Sequence, residues 1–177
     1  MAHNSQKIFC GSVKNKFPDK FHDCSVLDVG SLDINGNNRY LFSGNFTYIG
    51  LDIGPGPNVD VISKGHEYNP GIQFDVVVST ECFEHDPFWK DTLKKCVELT
   101  KSGGIFLFTC AYYNRGEHGT KRTNTVEAAP HVVEQFGDYY KNLGPKEVNE
   151  ALDCNALFTE FFCTPEISDL HFWGIKK

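Results

Sequence analysis

Val26-Leu27-Asp28-Val29-Gly30-Ser31-Leu32-Asp33-Ile34-Asn35-Gly36 is an apolar run that ends in a polar, glycine-containing turn. Its first residues read as a buried strand, Gly30 as the point where the chain turns tightly against a ligand, and Asn37 as the start of a short helix. A second apolar run, Tyr48-Ile49-Gly50-Leu51-Asp52, ends in an acid about twenty residues later. Together the two runs describe a nucleotide-cofactor site at the carboxyl edge of a sheet.

The details restrict the cofactor. Asp52, at the tip of the second strand, is placed to accept hydrogen bonds from two ribose hydroxyls. Dinucleotide binding wants G-x-G-x-x-G, whereas Gly30 is followed by Ser31, Leu32 and Asp33, and the next glycine is Gly36. A pyrophosphate would meet the Asp33 carboxylate. A ribose-bearing cofactor with a cationic, phosphate-free tail fits this turn better, and S-adenosylmethionine is such a molecule.

With 177 residues the chain has room for one domain, 1–177, and none for a separate substrate domain. A 40% hydrophobic share with 15 Phe and 7 Tyr excludes general disorder. The net charge of −6 argues against a nucleic-acid partner, since phosphate binding needs a basic face. The seven cysteines are odd in number and never spaced C-x-x-C, so they read as reduced thiols of a cytoplasmic protein. No apolar stretch approaches the ~20 residues of a membrane span, and the polar residues 1–7 do not read as a signal peptide. Oligomeric state is not legible here.

The expected organisation is α/β. A leading helix runs from Asn4 to about Lys16 within residues 1–24. Short apolar strands follow at Ser25–Val29, Phe46–Leu51, Val59–Ile62, Phe74–Ser79 and Gly104–Cys110, as parallel strands buried on both faces should be. A crossover helix has Asp86 as N-cap, Pro87 as its first residue and Ser102-Gly103-Gly104 as its stop. Residues 111–143 lack a sustained period and read as an irregular substrate lid. A helix from Pro145 to about Leu152 then precedes a hairpin of Ala156–Cys163 with Asp169–Ile175.

In this order the chain resembles the class I S-adenosylmethionine-dependent methyltransferases, within them the small type-11 group. The resemblance is carried by Val26–Gly36, Tyr48–Asp52, Phe74-Asp75-Val76-Val77-Val78-Ser79-Thr80-Glu81 and Leu99-Thr100-Lys101-Ser102-Gly103-Gly104-Ile105. It implies a three-layer Rossmann-like fold: a seven-stranded, mostly parallel sheet of order 3-2-1-4-5-7-6 with an antiparallel terminal hairpin. It places Gly30 under the methionine part of the cofactor and Asp52 on the ribose. The acid that meets adenine in the family is replaced by Lys64, leaving Gly65 and His66 as candidates, and Gly54-Pro55-Gly56-Pro57 leaves no room for the usual helix. The expected cofactor residues are therefore Asp28, Gly30, Ser31, Asp33, Asn35, Gly36, Asp52, Ile53, Lys64, Gly65, His66, Ser79 and Thr80. Asp28 is assigned to supporting the Gly30 turn, and Asp33 to the cofactor's ammonium.

Methyl transfer needs chiefly proximity and orientation, plus a base where the acceptor starts protonated. The acid–histidine pairs His66-Glu67, Glu84-His85 and Glu117-His118 all follow strand ends. His85 is the first candidate for a general base or acceptor-orienting group and His118 the second, each with a merely structural role as its alternative. Tyr112-Tyr113 and Tyr139-Tyr140 are candidate acceptor walls, and Arg39, Arg115, Lys121 and Arg122 candidate contacts for an acidic substrate. Glu84, His85, Glu117 and His118 do not form a recognised metal spacing, so no metal is expected. The expected function is methyl transfer to a small-molecule or carrier-bound acceptor. Its alternative is a sensor or scaffold that binds the donor or its demethylated product without turnover.

Overall fold

The computed structural model describes residues 4–177. Its central sheet has seven strands, β1 (Ser25–Val29), β2 (Thr47–Asp52), β3 (Val61–Ile62), β4 (Phe74–Thr80), β5 (Thr100–Ala111), β6 (Phe158–Glu166) and β7 (Asp169–Lys176). The order is β3-β2-β1-β4-β5-β7-β6, the order implied by the resemblance. β1 to β5 pair in parallel, while β7 runs antiparallel to both β5 and β6.

Side-chain alternation builds two cores from one sheet. Leu27, Val77, Phe106 and Phe108 face a cluster containing Trp89, Leu93 and Cys96 of helix α2 (Trp89–Leu99). Their neighbours Val26, Val76, Ile105 and Leu107 face the other way, onto Phe9, Cys10 and Val13 of helix α1 (Asn4–Lys16). Both faces are covered, which explains why these strands read as continuous apolar runs. All seven cysteines are free thiols.

Among the boundaries that differ from expectation, three bear on the sheet edge. α2 begins at Trp89, and Asp86 acts just ahead of it, accepting the Phe88 N–H at 2.7 Å and the Thr92 hydroxyl at 2.5 Å. The helix runs straight into β5 at Thr100, so Ser102–Gly104 is no stop. It is an irregularity within β5, where pairing with β4 shifts between Phe74 and Val76. The short helix expected at Asn37 is a single 3-10 turn, Arg39–Leu41, because Asp33 takes the Gly36 N–H at 2.7 Å and the Asn37 amide at 2.8 Å.

Residues 111–143 are more ordered than their sequence suggests. They carry a 3-10 turn at Val126–Ala128 and a helix α3 (Pro130–Phe136). α3 is tied to the β2–β3 connection, His131 Nε2 lying 2.9 Å from the Pro55 carbonyl and Gln135 Nε2 donating to the Ile53 carbonyl at 2.7 Å. Helices α4 (Pro145–Ala151) and α5 (Cys154–Leu157) lead into the terminal hairpin.

Candidate active site

The strand order reverses between β1 and β4, and open α/β sheets bind ligands in the crevice beyond the carboxyl ends at such a point. A cavity lies there, lined by the turn after β1, the end of β2 and the segment after β4.

The turn after β1 is laced to the end of β2. Gly30 and Ser31 donate backbone N–H groups to the Leu51 carbonyl at 2.8 and 3.1 Å, and Ser31 Oγ donates to the Asn58 carbonyl at 3.0 Å. Gly30 has φ +77°, and a Cβ there would lie 2.4 Å from Cys82 Sγ, so glycine is required both by conformation and by space.

Of the residues expected to bind cofactor, Asp28, Gly30, Ser31, Asn35, Gly36, Asp52, Ile53, Lys64, Gly65 and Thr80 line the cavity. Asp52 accepts from the Leu32 N–H at 3.1 Å and the Gly54 N–H at 3.4 Å, and burial raises its carboxyl above the usual range. Lys64 turns its Nζ to Glu67 at 3.1 Å. The lining acids Asp28, Asp52, Glu81 and Asp86 face a single lining lysine, Lys64.

Other placements correct the sequence reading. Asp28 does not hold the Gly30 turn. It lies buried beneath the cavity, accepting from the Tyr48 hydroxyl and, at 3.2 Å, from the Asn38 amide. Asp33 lies outside the lining, spent on closing its own loop. His66 also lies outside and packs on Phe88 at 4.3 Å between ring centres, leaving Phe88 to face the cavity. Ser79 is fully buried, donating to the Val29 carbonyl at 2.8 Å. Sequence reasoning missed Asn38, whose amide bridges Asp28 and Thr80, and the cavity-lining residues Ala129, His131 and Phe136 of the α3 segment. A polar turn residue carries no periodicity, and the α3 segment arrives through a contact distant in sequence.

No protein-family model matches the chain, and no curated protein matches it in sequence. Solved structures do match. The 1,6-didemethyltoxoflavin-N1-methyltransferase of Burkholderia thailandensis, solved with 1,6-didemethyltoxoflavin and S-adenosylhomocysteine, is 16% identical over 94% of this chain and 76% of its own, with TM-score 0.63. The N-terminal domain of EvdMO1, solved in the presence of S-adenosylhomocysteine (SAH) and D-fucose, is 16% identical over 96% of this chain and 83% of its own, with TM-score 0.64. The N-methyltransferase NodS of Bradyrhizobium japonicum WM9 is 10% identical over 96% and 95%, with TM-score 0.59. The fold is the class I methyltransferase fold.

Within this methyltransferase fold His85 follows β4 in a 3-10 turn, Phe83–His85, and lines the cavity. Burial, and then His118, pushes it down to about 3, so its ring is neutral at physiological pH and a weak proton acceptor. That makes it a hydrogen-bonding or ligating group more than a base. His118 does not line the cavity but stands edge-on to His85 at 4.9 Å between ring centres, with Tyr140 5.4 Å from His85 and 5.1 Å from His118. Glu84, between Phe83 and His85, is fully buried, and burial followed by the neighbouring Glu81 raises its carboxyl.

The three candidate arginines are engaged elsewhere. Arg115 pairs with Glu81 at 3.2 Å and Asp169 at 2.5 Å, Arg122 with Glu117 at 2.8 Å, and Arg39 lies over the Tyr48 ring. Tyr112 and Tyr113 stack on one another.

Gly119, at φ +71°, closes the loop onto this cluster, where a Cβ would lie 2.7 Å from His85 Cε1 and 3.0 Å from Ala129 Cβ. Gly119→Ala combines left-handed backbone with overpacking and is expected to cost about 2 kcal/mol. A melting curve lowered by ~4–8 °C would show it; an unchanged curve would mean the loop does not rest on His85.

Proposed function

We propose that this chain is an S-adenosylmethionine-dependent methyltransferase acting on a small-molecule or carrier-bound acceptor. The observation that carries the reading is the acidic cavity at the sheet's switch point, with Gly30 on one wall and Asp52 at the tip of β2. Its lining suits a cationic, ribose-bearing ligand and opposes a pyrophosphate. Two of the three structural neighbours are named as methyltransferases, and two, the Burkholderia thailandensis enzyme and the EvdMO1 domain, were solved with SAH, which supports the same donor here.

In this reading Asp52 holds the ribose and the Gly30–Ser31 turn the methionine part. An acceptor atom attacks the methyl carbon in line, the carbon–sulfur bond breaks, and its electron pair stays on sulfur to give the thioether product. The acceptor's proton, where it has one, leaves to solvent or a neighbouring group. Residues 111–143 act as the lid, with α3 closing over the donor and the Gly119 loop beside the acceptor. Proximity and exclusion of water supply most of the rate.

Burial raises Asp28 from 3.8 to about 6, against the hydrogen bonds of Tyr48 and Asn38, with Asp52 raising it further and Arg39 lowering it. As pH rises through that value the carboxylate ionises and attracts a cation more strongly. Donor affinity is expected to rise severalfold between about pH 5 and 7, and Asp28→Asn to flatten the profile. A profile that persists in that variant would assign the titration to another group.

The function is tested by supplying S-adenosylmethionine labelled in its methyl group together with a small-molecule extract. Label appearing in an acceptor, and lost in Asp52→Ala, supports methyl transfer. Donor binding without label transfer would favour the sensor or scaffold reading.

A further inference from the structure

Three polar side chains beside the cavity stand close together, each with a polar atom that has no hydrogen-bond partner among the described residues. Both carboxylate oxygens of Glu84, Nδ1 of His85 and Nε2 of His118 are buried without a hydrogen-bond partner among the described residues. Glu84 is 0% exposed and His85 5%, so bulk solvent does not reach them. One ligand atom from each of the three lies within 4.8 Å of the others. Donors bound at ~2.0–2.2 Å around one ion lie roughly 3–4 Å apart, so a small side-chain adjustment closes the set.

We propose that Glu84, His85 and His118 bind a divalent first-row transition ion. Two imidazoles and one carboxylate are the donors such an ion prefers, whereas Mg²⁺ and Ca²⁺ take oxygen ligands. His118 is already oriented for this task. Its Nδ1 lies 3.1 Å from the Gly116 carbonyl, a contact that fixes the proton on Nδ1 and leaves the Nε2 lone pair free to ligate. Tyr140 steadies the same carbonyl from 3.2 Å. Glu117, the other acid of the loop, takes no part, since it accepts from Thr120 at 2.7 Å and Arg122 at 2.8 Å.

Charge points the same way. Glu81, Glu84 and Asp169 are buried together, and Arg115 pairs with Glu81 and Asp169, while no lysine or arginine pairs with Glu84 among the described residues. Buried carboxylates gathered this closely repel one another, and a divalent ion would offset that repulsion. Because His85 also lines the cavity, the ion would stand within one side chain of the acceptor space. Its use as a clamp on an acceptor oxygen rests on the methyl-transfer reading; its binding does not.

The test uses the full chain without an affinity tag, stripped with a chelator and titrated at neutral pH with Zn²⁺, Co²⁺ and Mg²⁺. One equivalent of Zn²⁺ or Co²⁺ is expected to bind, with Mg²⁺ at least a hundredfold weaker and with a visible Co²⁺ absorption of nitrogen–oxygen ligation. His118→Ala, in the loop, and the near-isosteric Glu84→Gln are each expected to weaken Co²⁺ binding at least a hundredfold, and Glu117→Gln to leave it unchanged. Circular dichroism of each variant confirms folding. Absence of a one-equivalent site, or binding that survives both ligand variants, overturns the proposal and leaves a proton as what Glu84 and the histidines share. SAH binding to the stripped protein is measured in parallel, so failure of the metal site and failure of the donor site are read separately.

Discussion

Asp52→Ala is expected to weaken SAH binding by about a hundredfold or more while leaving the sheet intact. The carboxylate lines the cavity at the end of β2 and already accepts two backbone N–H groups, from Leu32 at 3.1 Å and Gly54 at 3.4 Å. Those contacts hold it in place, and a ribose with two hydroxyls adds charge-assisted hydrogen bonds of about 1.5–3 kcal/mol each. Loss of both accounts for a hundredfold at the low end, since about 1.4 kcal/mol is tenfold. Asp52→Asn keeps an acceptor for one backbone N–H and is expected to fall between. Calorimetric titration with SAH reads the effect. A variant that binds like the parent would remove Asp52 from the ribose.

The second large effect concerns stability. Arg115 holds Glu81 at 3.2 Å and Asp169 at 2.5 Å, tying the chain after β5 to the end of β4 and the start of β7. Asp169 is 1% exposed and Glu81 5%. Arg115→Met keeps much of the apolar stem but removes a cation shared by two buried carboxylates, which costs about 3–5 kcal/mol. For a chain of this size the melting temperature should fall by roughly 10 °C. Urea unfolding with an unchanged slope would locate the loss in the folded state. Asp169→Asn in the Arg115→Met background should recover part of it. A loss below about 1 kcal/mol would mean that the pair behaves like an exposed salt bridge.

Much of the sheet was legible because parallel strands buried on both faces leave short apolar runs, as Val26–Val29 and Val76–Val78 do. The cavity's place was legible for a related reason: Gly30 and Asp52, which line it, follow those runs at fixed positions. What failed was what depends on contacts distant in sequence. Pro130–Phe136 is too short to show a helical period, and its place over the cavity is set by the Pro55 and Ile53 carbonyls. Asp33 was read as a ligand because it is acidic and near the glycine, yet the Gly36 and Asn37 nitrogens use both its oxygens. Glu84, His85 and His118 showed no metal spacing because their convergence comes from the Gly119 loop folding back on His85. Asn38, which joins Asp28 to Thr80, had no signal beyond being polar.

The donor site is the central claim, and the most direct test is the melting temperature of the protein alone and with S-adenosylmethionine, SAH and NADH. A ligand at 100 times its Kd stabilises the folded chain by ~2.7 kcal/mol, which corresponds to roughly 5–10 °C here. A rise with S-adenosylmethionine and SAH and none with NADH is the predicted result. A rise with NADH alone, or no rise with either S-adenosyl compound at saturating concentration, would contradict it.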